Sequence, residues 1–240
     1  WREPYRDFGI ATIREPAIAT GVAAALDQLE ALVETVVAAG RFPLVLGGEH
    51  SLTPGAVRPL ARRHPDLVVL QLDAHADLRD GYVGERFSHA AAMRRVLDLA
   101  GVSLVSVGIR AFSSEEAAFL AEAGDRVHIH WGKDQARWDV EEIVRPLRGR
   151  PVYVTFDIDA LDSAAMPATG TPMPGGIPYL TALAILRRAA EVGTIVGGDV
   201  VELAPIAGLH ACDFTAAAIA SKIMTYALSG TGAGACPPRR

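Results

Sequence analysis

From residue 20 to residue 228, short apolar runs alternate with stretches in which apolar residues recur every three or four positions. The runs read as strands and the periodic stretches as helices. The pattern predicts a helix over Thr20–Ala39 stopped by Gly40, and a strand over Phe42–Leu46. A helix follows over Thr53–Arg63, with Thr53 as N-cap and Pro54 in its first turn. Further strands are predicted over Leu67–Leu72, Val102–Val107, Arg126–His130, Pro151–Phe156 and Thr194–Val201. The helices between and after them cover Ser88–Ala100, Ser114–Ala123, Val140–Leu147, Tyr179–Glu191 and Asp213–Leu228. Residues 1–19 read as an irregular lead-in and residues 160–178 as a long Pro/Gly loop. Residues 229–240, rich in Gly and Pro, read as a flexible tail.

Strands alternating with helices of ten or so residues indicate βαβ units. The strand runs do not alternate polar with apolar, as expected where helices cover both faces of a parallel sheet. The fold expected is therefore α/β: one domain over 1–240, a doubly wound, mostly parallel sheet in a three-layer αβα arrangement. Half the residues are hydrophobic and only 6% aromatic, so aliphatic side chains must fill the core. The net charge of −5, with no basic block before Arg239-Arg240, argues against nucleic acid as a partner. No run reaches the ~18–20 apolar residues of a membrane span, and Trp1-Arg2-Glu3-Pro4 does not begin a signal peptide. Cys212 and Cys236 have no metal-like spacing and read as free thiols in a reducing cytosol, so a cytoplasmic location is expected.

Three polar segments directly follow strands: Gly47-Gly48-Glu49-His50-Ser51, Asp73-Ala74-His75-Ala76-Asp77 and Asp157-Ile158-Asp159. In open α/β sheets the strand ends form one edge, and ligands bind there. An extended DxHxD stretch would put Asp73, His75 and Asp77 on one face, and Asp157 and Asp159 would use the same i, i+2 spacing. Four carboxylates and two imidazoles gathered without cations would repel and be costly to desolvate. An O and N donor set without sulfur suits Mn, and less specifically Mg, Fe or Zn. Six ligands exceed one tetrahedral site, while two cations ~3.5–4 Å apart could share bridging carboxylates. His64, His128, His130 and His210 read as structural, and Glu49 as a support behind the ligands.

The chain resembles the ureohydrolase (arginase/agmatinase) superfamily from about Ala31 to about Leu228. The segments carrying the likeness are LVLGGEHSL (44–52), LDAHADLRDGYVGERFSHAAAMRRV (72–96), VSVGIR (105–110), VYVTFDIDALDSAAMPATGTPMPGG (152–176) and GGDVVELAP (197–205). DLRDGYVGE followed by FSH is most similar to agmatinases, which implies an arginase-like fold and hydrolysis of agmatine to putrescine and urea. Other implied readings are a guanidino-acid ureohydrolase (guanidinobutyrase-like), an arginase, or a non-catalytic, metal-stabilised member. The resemblance implies two Mn2+ per subunit, bridged by Asp73 and Asp157, with His50 and Asp77 completing one site and His75 and Asp159 the other. A hydroxide shared by the metals would attack the guanidinium carbon. His89 matches the family's proton shuttle and Glu202 its guanidinium-binding carboxylate; Asp77 counts with them as catalytic. Arg79, with His89 and Glu202, is a candidate substrate contact, either gripping a carboxylate or pairing with Asp80 or Glu85. Relatives also imply a homo-oligomer, trimer or hexamer. The first strand and Gly-rich loop that relatives carry are not in the sequence given, which leaves open a piece of a longer protein or a shortened member; Met173 stands where agmatinases often carry Glu, and Asp162-Ser163-Ala164 replaces the more usual Asp-Pro-Ala.

Overall fold

In the computed structural model, which describes residues 4–229, six strands form one parallel sheet. They are β1 (Leu44–Leu46), β2 (Val68–Leu72), β3 (Ser103–Ile109), β4 (Val127–Trp131), β5 (Pro151–Asp157) and β6 (Thr194–Val201), in the spatial order β1-β6-β5-β2-β3-β4. From β2 the chain winds outward through β3 to β4; it then returns to β5 and winds the other way to β6. The winding reverses between the neighbours β5 and β2, and a crevice opens outside the strand ends at such a point.

The helices are α1 (Pro4–Asp7), α2 (Val22–Ala38), α3 (Thr53–Arg63), α4 (Ala92–Leu97), α5 (Ser114–Ala123), α6 (Val140–Val144), α7 (Tyr179–Val192) and α8 (His210–Ser229). Two cores lie on opposite faces of the sheet. Val33, Val57, Leu60, Met93 and Val96 from α2, α3 and α4 pack on one face, with Phe119 of α5 beside them. Ile143, Ile185, Leu186, Ile219 and Ile223 from α6, α7 and α8 pack on the other. Strand residues divide by the two-residue period: Val68, Leu70, Leu72, Val154 and Phe156 face the second group, and Val69 and Tyr153 the first. Close layering needs small residues. A Cβ on Gly55 of α3 would lie 2.7 Å from the Leu26 carbonyl oxygen of α2.

Several elements differ from the sequence pattern. The lead-in contains α1, and β1 begins at Leu44 rather than Phe42. The helix expected over Ser88–Ala100 is a 3-10 turn at His89–Ala91 followed by α4, because Ala91 leaves the helical region at φ −119°, ψ 5°. The Val140–Leu147 helix likewise ends in a 3-10 turn at Arg145–Leu147, where Pro146 supplies no N–H. Thr53 does not cap α3: Leu52 stands at that position, and the Thr53 hydroxyl turns inward to Asp199. Ser113 does cap α5, closing a capping box with Glu116. The tail expected to be flexible lies outside the described residues except for Ser229, which ends α8; Cys236 also lies outside, while Cys212 is buried and free. Among the described residues no helix is long and apolar enough to cross a membrane.

Candidate metal centre

Strand register brings the predicted ligands together. Leu72 of β2 pairs with Phe156 of β5, so Asp73 and Asp157 stand side by side one residue further on. Phe156 also pairs with Val200 of β6, and Val200 with Leu46 of β1. Glu202 and the turn carrying His50 therefore emerge beside the same crevice. Two groups of side chains have donor atoms close enough to hold a cation: His50, Asp73 and Asp77, and Asp73, His75 and Asp159. Asp73 belongs to both. Asp157 approaches the first group, with Oδ2 3.4 Å from His50 Nδ1.

The local geometry is not the simple extended face that the spacing suggested. Asp77 has φ 54°, and this left-handed step swings its carboxylate to 3.0 Å from His50 Nδ1. Asp159 leaves β5 in a 3-10 turn whose first N–H groups are capped by Asp157, with Asp159 N donating to Asp157 Oδ1 at 2.8 Å. Glu202 also has positive φ, 64°. Its N–H donates to Gly48 O at 2.7 Å, and its Oε1 accepts from His50 N at 2.6 Å. Left-handed backbone at non-glycine residues costs ~1–3 kcal/mol and persists where surrounding structure enforces it.

Buried strand residues hold the ligands from behind. Gln71 Nε2 donates to Asp73 Oδ2 at 2.8 Å, and Ser106 Oγ donates to Gln71 Oε1 at 2.5 Å. Ala74 N donates to Asp159 Oδ1 at 3.0 Å, and Thr171 Oγ1 to Asp159 Oδ2 at 3.2 Å. Thr155 Oγ1 lies 2.9 Å from His50 Nε2 and donates to Asp199 Oδ1 at 2.6 Å. Gln71, Thr155 and Asp199 were not singled out from sequence. Each is a polar residue inside an otherwise apolar strand, and two of them precede a ligand by two positions; that was the available signal.

Electrostatics show what this arrangement requires. His50 Nδ1 lies 3.1 Å from Asp73 Oδ2 and 3.0 Å from Asp77 Oδ2, yet it is buried with no aligned hydrogen bond. Burial works to lower the His50 pKa, but Asp157, Asp73 and Asp77 outweigh it and hold the imidazole well above its usual value. His75 is carried up to about 11: burial opposes the rise, and contacts with Asp159 and Asp73 drive it. Burial and the Asp73 charge push Asp77 up to about 7, against the pull of His50. Burial, with the charges of Asp73 and Asp159, drives Asp157 well above the carboxylate range. Alone, this cluster must retain protons to be tolerable, whereas a cation among the same oxygens and Nδ1 relieves the repulsion and satisfies the orphaned nitrogen. The residues present therefore fit a metal centre.

Above the ligands lies a cleft of about 480 Å³, lined among others by Glu202, His89, Arg79, Tyr82, Phe112 and Thr171. His89 Nδ1 is 2.8 Å from Glu49 Oε1, which leaves Nε2 available. Glu49 thus supports His89 and, through Oε2, receives a bond from Ser51 Oγ at 2.5 Å. Burial raises the Glu202 pKa, while the His50 N–H lowers it. Arg79 does not make the pairs considered for it: Asp80 binds Arg95 at 2.6 Å, and Glu85 accepts from Phe87 N. Its guanidinium instead lies over the Tyr82 ring, 5.3 Å from the centroid. His210 begins α8, 3.8 Å from Asp213 and largely exposed, and His64 ends α3 through its own N–H to Leu60 O.

The fold and site together make this an α/β protein with a doubly wound parallel sheet and a candidate metal centre of carboxylates and imidazoles at its switch point. Residues 2–228 match the model of the arginase family, and the chain belongs to that family. It is 34% identical over 236 residues to N(1)-aminopropylagmatine ureohydrolase of Synechocystis sp., covering 93% of this chain and 74% of that enzyme. It is 42% identical to agmatinase of Bacillus anthracis over 75% of this chain, but spans only 62% of that relative's length. Proclavaminate amidino hydrolase from Streptomyces clavuligerus superposes with a TM-score of 0.79 at 29% identity, covering 88% of this chain and 72% of that one.

Proposed function

We propose that this protein hydrolyses a guanidino compound to urea and an amine, with agmatine, giving putrescine, as the favoured substrate. The observation that carries the reading is the convergence of six ligand-type side chains on the floor of a cleft that Glu202 and His89 also line. Two Mn2+ ions would be held by His50, Asp73 and Asp77 and by Asp73, His75 and Asp159, with Asp157 as the sixth ligand-type side chain beside them. Bound there, the ions would supply Lewis acidity and a hydroxide nucleophile near neutral pH.

The chain's own residues supply the rest. Glu202 Oε1 is engaged by His50 N–H, so Oε2 remains to accept a charge-assisted bond from the planar guanidinium. His89, held at Nδ1 by Glu49, carries a proton at Nε2 for the departing amine. The Tyr82 and Phe112 rings, both exposed on one side, line the rim of the cleft and offer apolar surface to the substrate's methylene chain. A second reading rests on Arg79, which lines the cleft without an ion pair among the described residues and would suit a guanidino acid's carboxylate. Assembly as a homo-oligomer, trimer or hexamer, and a cytoplasmic location complete the proposal.

Urea release by the Mn-loaded protein, with and without chelator, tests it against agmatine, arginine, 4-guanidinobutyrate and 3-guanidinopropionate. Chelator-sensitive urea with agmatine far ahead is expected. Preference for a guanidino acid would give Arg79 the carboxylate role, and no urea from any substrate would leave a metal-stabilised, non-catalytic member. Asp157→Ala should abolish turnover and lower Mn content; normal values of both would remove Asp157 from the ligand set.

A further inference from the structure

A buried chain of hydroxyl and carboxylate groups lies behind the ligand set, and the reaction above leaves it unused. Asp199 of β6 is fully buried. It accepts from Thr155 Oγ1 at 2.6 Å, Tyr153 OH at 2.8 Å and Thr53 Oγ1 at 2.9 Å. The arrangement is built into the sheet, because Thr155 and Asp199 are direct partners in the β5–β6 ladder. Among the described residues its hydrogen-bond partners are three hydroxyls and no cation.

An ionised carboxylate can only accept, so each hydroxyl spends its single proton on Asp199. Thr155 then has none left for His50, and its Oγ1 must accept from His50 Nε2–H across 2.9 Å. With Nε2 fixed as the donor, Nδ1 is the nitrogen that faces Asp73 and Asp77 without an aligned partner, and it is the one a cation would meet once its proton is displaced. We propose that Asp199, acting through Thr155, is a positioning residue that sets the His50 tautomer and so prepares Nδ1 to hold a cation. This inference rests on the metal reading above. The reverse order is chemically possible only if Asp199 is neutral: it would then donate to Thr155, Thr155 to Nε2, and Nδ1 would carry the hydrogen.

Titrating the metal-free full chain with Mn2+, with free ion followed by its electron paramagnetic resonance signal, separates these cases. Thr155→Val and Asp199→Asn should each weaken one of two Mn sites by about 10–100-fold and spare the other, in line with other partners behind metal-bound histidines. Thr155→Ser should restore affinity to within about threefold of the unaltered protein, since it keeps the relay hydroxyl. Tyr153→Phe removes a different Asp199 donor without touching His50; it should lower the melting temperature and leave both affinities intact. Unaltered affinity in Thr155→Val, or equal metal loss in Tyr153→Phe, would overturn the relay. Asp199→Asn behaving as the unaltered protein would overturn the anionic chain. If Thr155→Val does not fold, Thr155→Ala carries the same reading. An unaltered protein that binds no Mn2+ would instead defeat the metal reading itself.

Discussion

Replacing Arg110 with alanine removes the clamp that holds the wall of the cleft to the sheet. The guanidinium donates to Asp159 O at 2.7 Å, Met173 O at 2.9 Å, Pro174 O at 3.1 Å and Gly108 O at 3.2 Å. Leu161 O, at 3.4 Å from the same Nη2, competes for one of only two N–H groups there and adds little. Three of these bonds therefore join the end of β3 to the turn and loop that follow β5, and the fourth, to Gly108 O, fixes the guanidinium against β3 itself. A hydrogen bond to a charged group nets ~1.5–3 kcal/mol when buried. Arg110 is half-buried and water can reach part of what it leaves, so the four together contribute about 3 kcal/mol rather than their full sum. At ~2–4 °C per kcal/mol for a chain of this size, Arg110→Ala should melt about 6–12 °C lower. Arg110→Lys should recover less than half, because a point charge cannot reach carbonyls spread around a planar fork. The loop also carries Thr171, which donates to Asp159, so urea release should fall by about tenfold or more. Calorimetry of the Mn-loaded protein reads the first effect; a melt within about 2 °C of the unaltered chain would refute the clamp.

Three other outcomes follow from particular sites. Gly176→Ala would place a Cβ 2.4 Å from both Asp162 N and Leu161 C, so its urea midpoint should report a loss of at least ~2 kcal/mol; Gly48→Ala meets nothing within 4 Å and should lose less than ~0.5. Burial, and next the His128 charge, hold the His130 pKa below its ordinary value, so the unfolded chain takes up the proton first. Stability from keeping it neutral is present above about pH 6.5 and is lost as pH falls through the lowered value. His130→Gln should flatten this part of the acid limb in denaturation between about pH 5 and 7, and an unchanged slope would clear His130. His89→Ala should cut turnover by about 10²–10⁴-fold with metal content retained, and metal loss would make His89 a structural or ligand residue instead.

The placement of the ligands was legible because each ligand segment follows an apolar run, and a parallel sheet puts all such ends on one edge. Their pairing was not, because the β5–β2 neighbourhood is set by winding order rather than by any local pattern. Gln71, Thr155 and Asp199 lay unnoticed inside apolar runs, where a single polar residue does not disturb the hydrophobic reading. Their partners come from other strands, so only the assembled sheet shows what they do. Thr53 was misread for a related reason: a Thr before Pro54 satisfies the local rule for a cap, but a buried carboxylate 146 positions away offers its hydroxyl a stronger partner. The alanines of 88–100 favour helix wherever they stand, so the sequence does not show the break at Ala91 that sets the 3-10 turn of His89–Ala91 apart from α4.

The switch point also governs when the centre can come into being. Ala74 N and Asp159 Oδ1 are 85 positions apart, His50 and Thr155 105, and His50 and Glu202 152. β2 and β5 can pair only once the β3–β4 excursion has been laid down between them, and contacts of such long span must close large loops before they return any stabilisation. As the chain leaves the ribosome, the first half of the ligand set therefore emerges without its counterpart. It stays unable to hold two cations until β5 and β6 have been made and inserted between β1 and β2. On the two-cation reading, completion of the centre is thus a late event of folding, and a chain stalled before residue 157 would carry four of the six ligand-type side chains without Asp157 or Asp159.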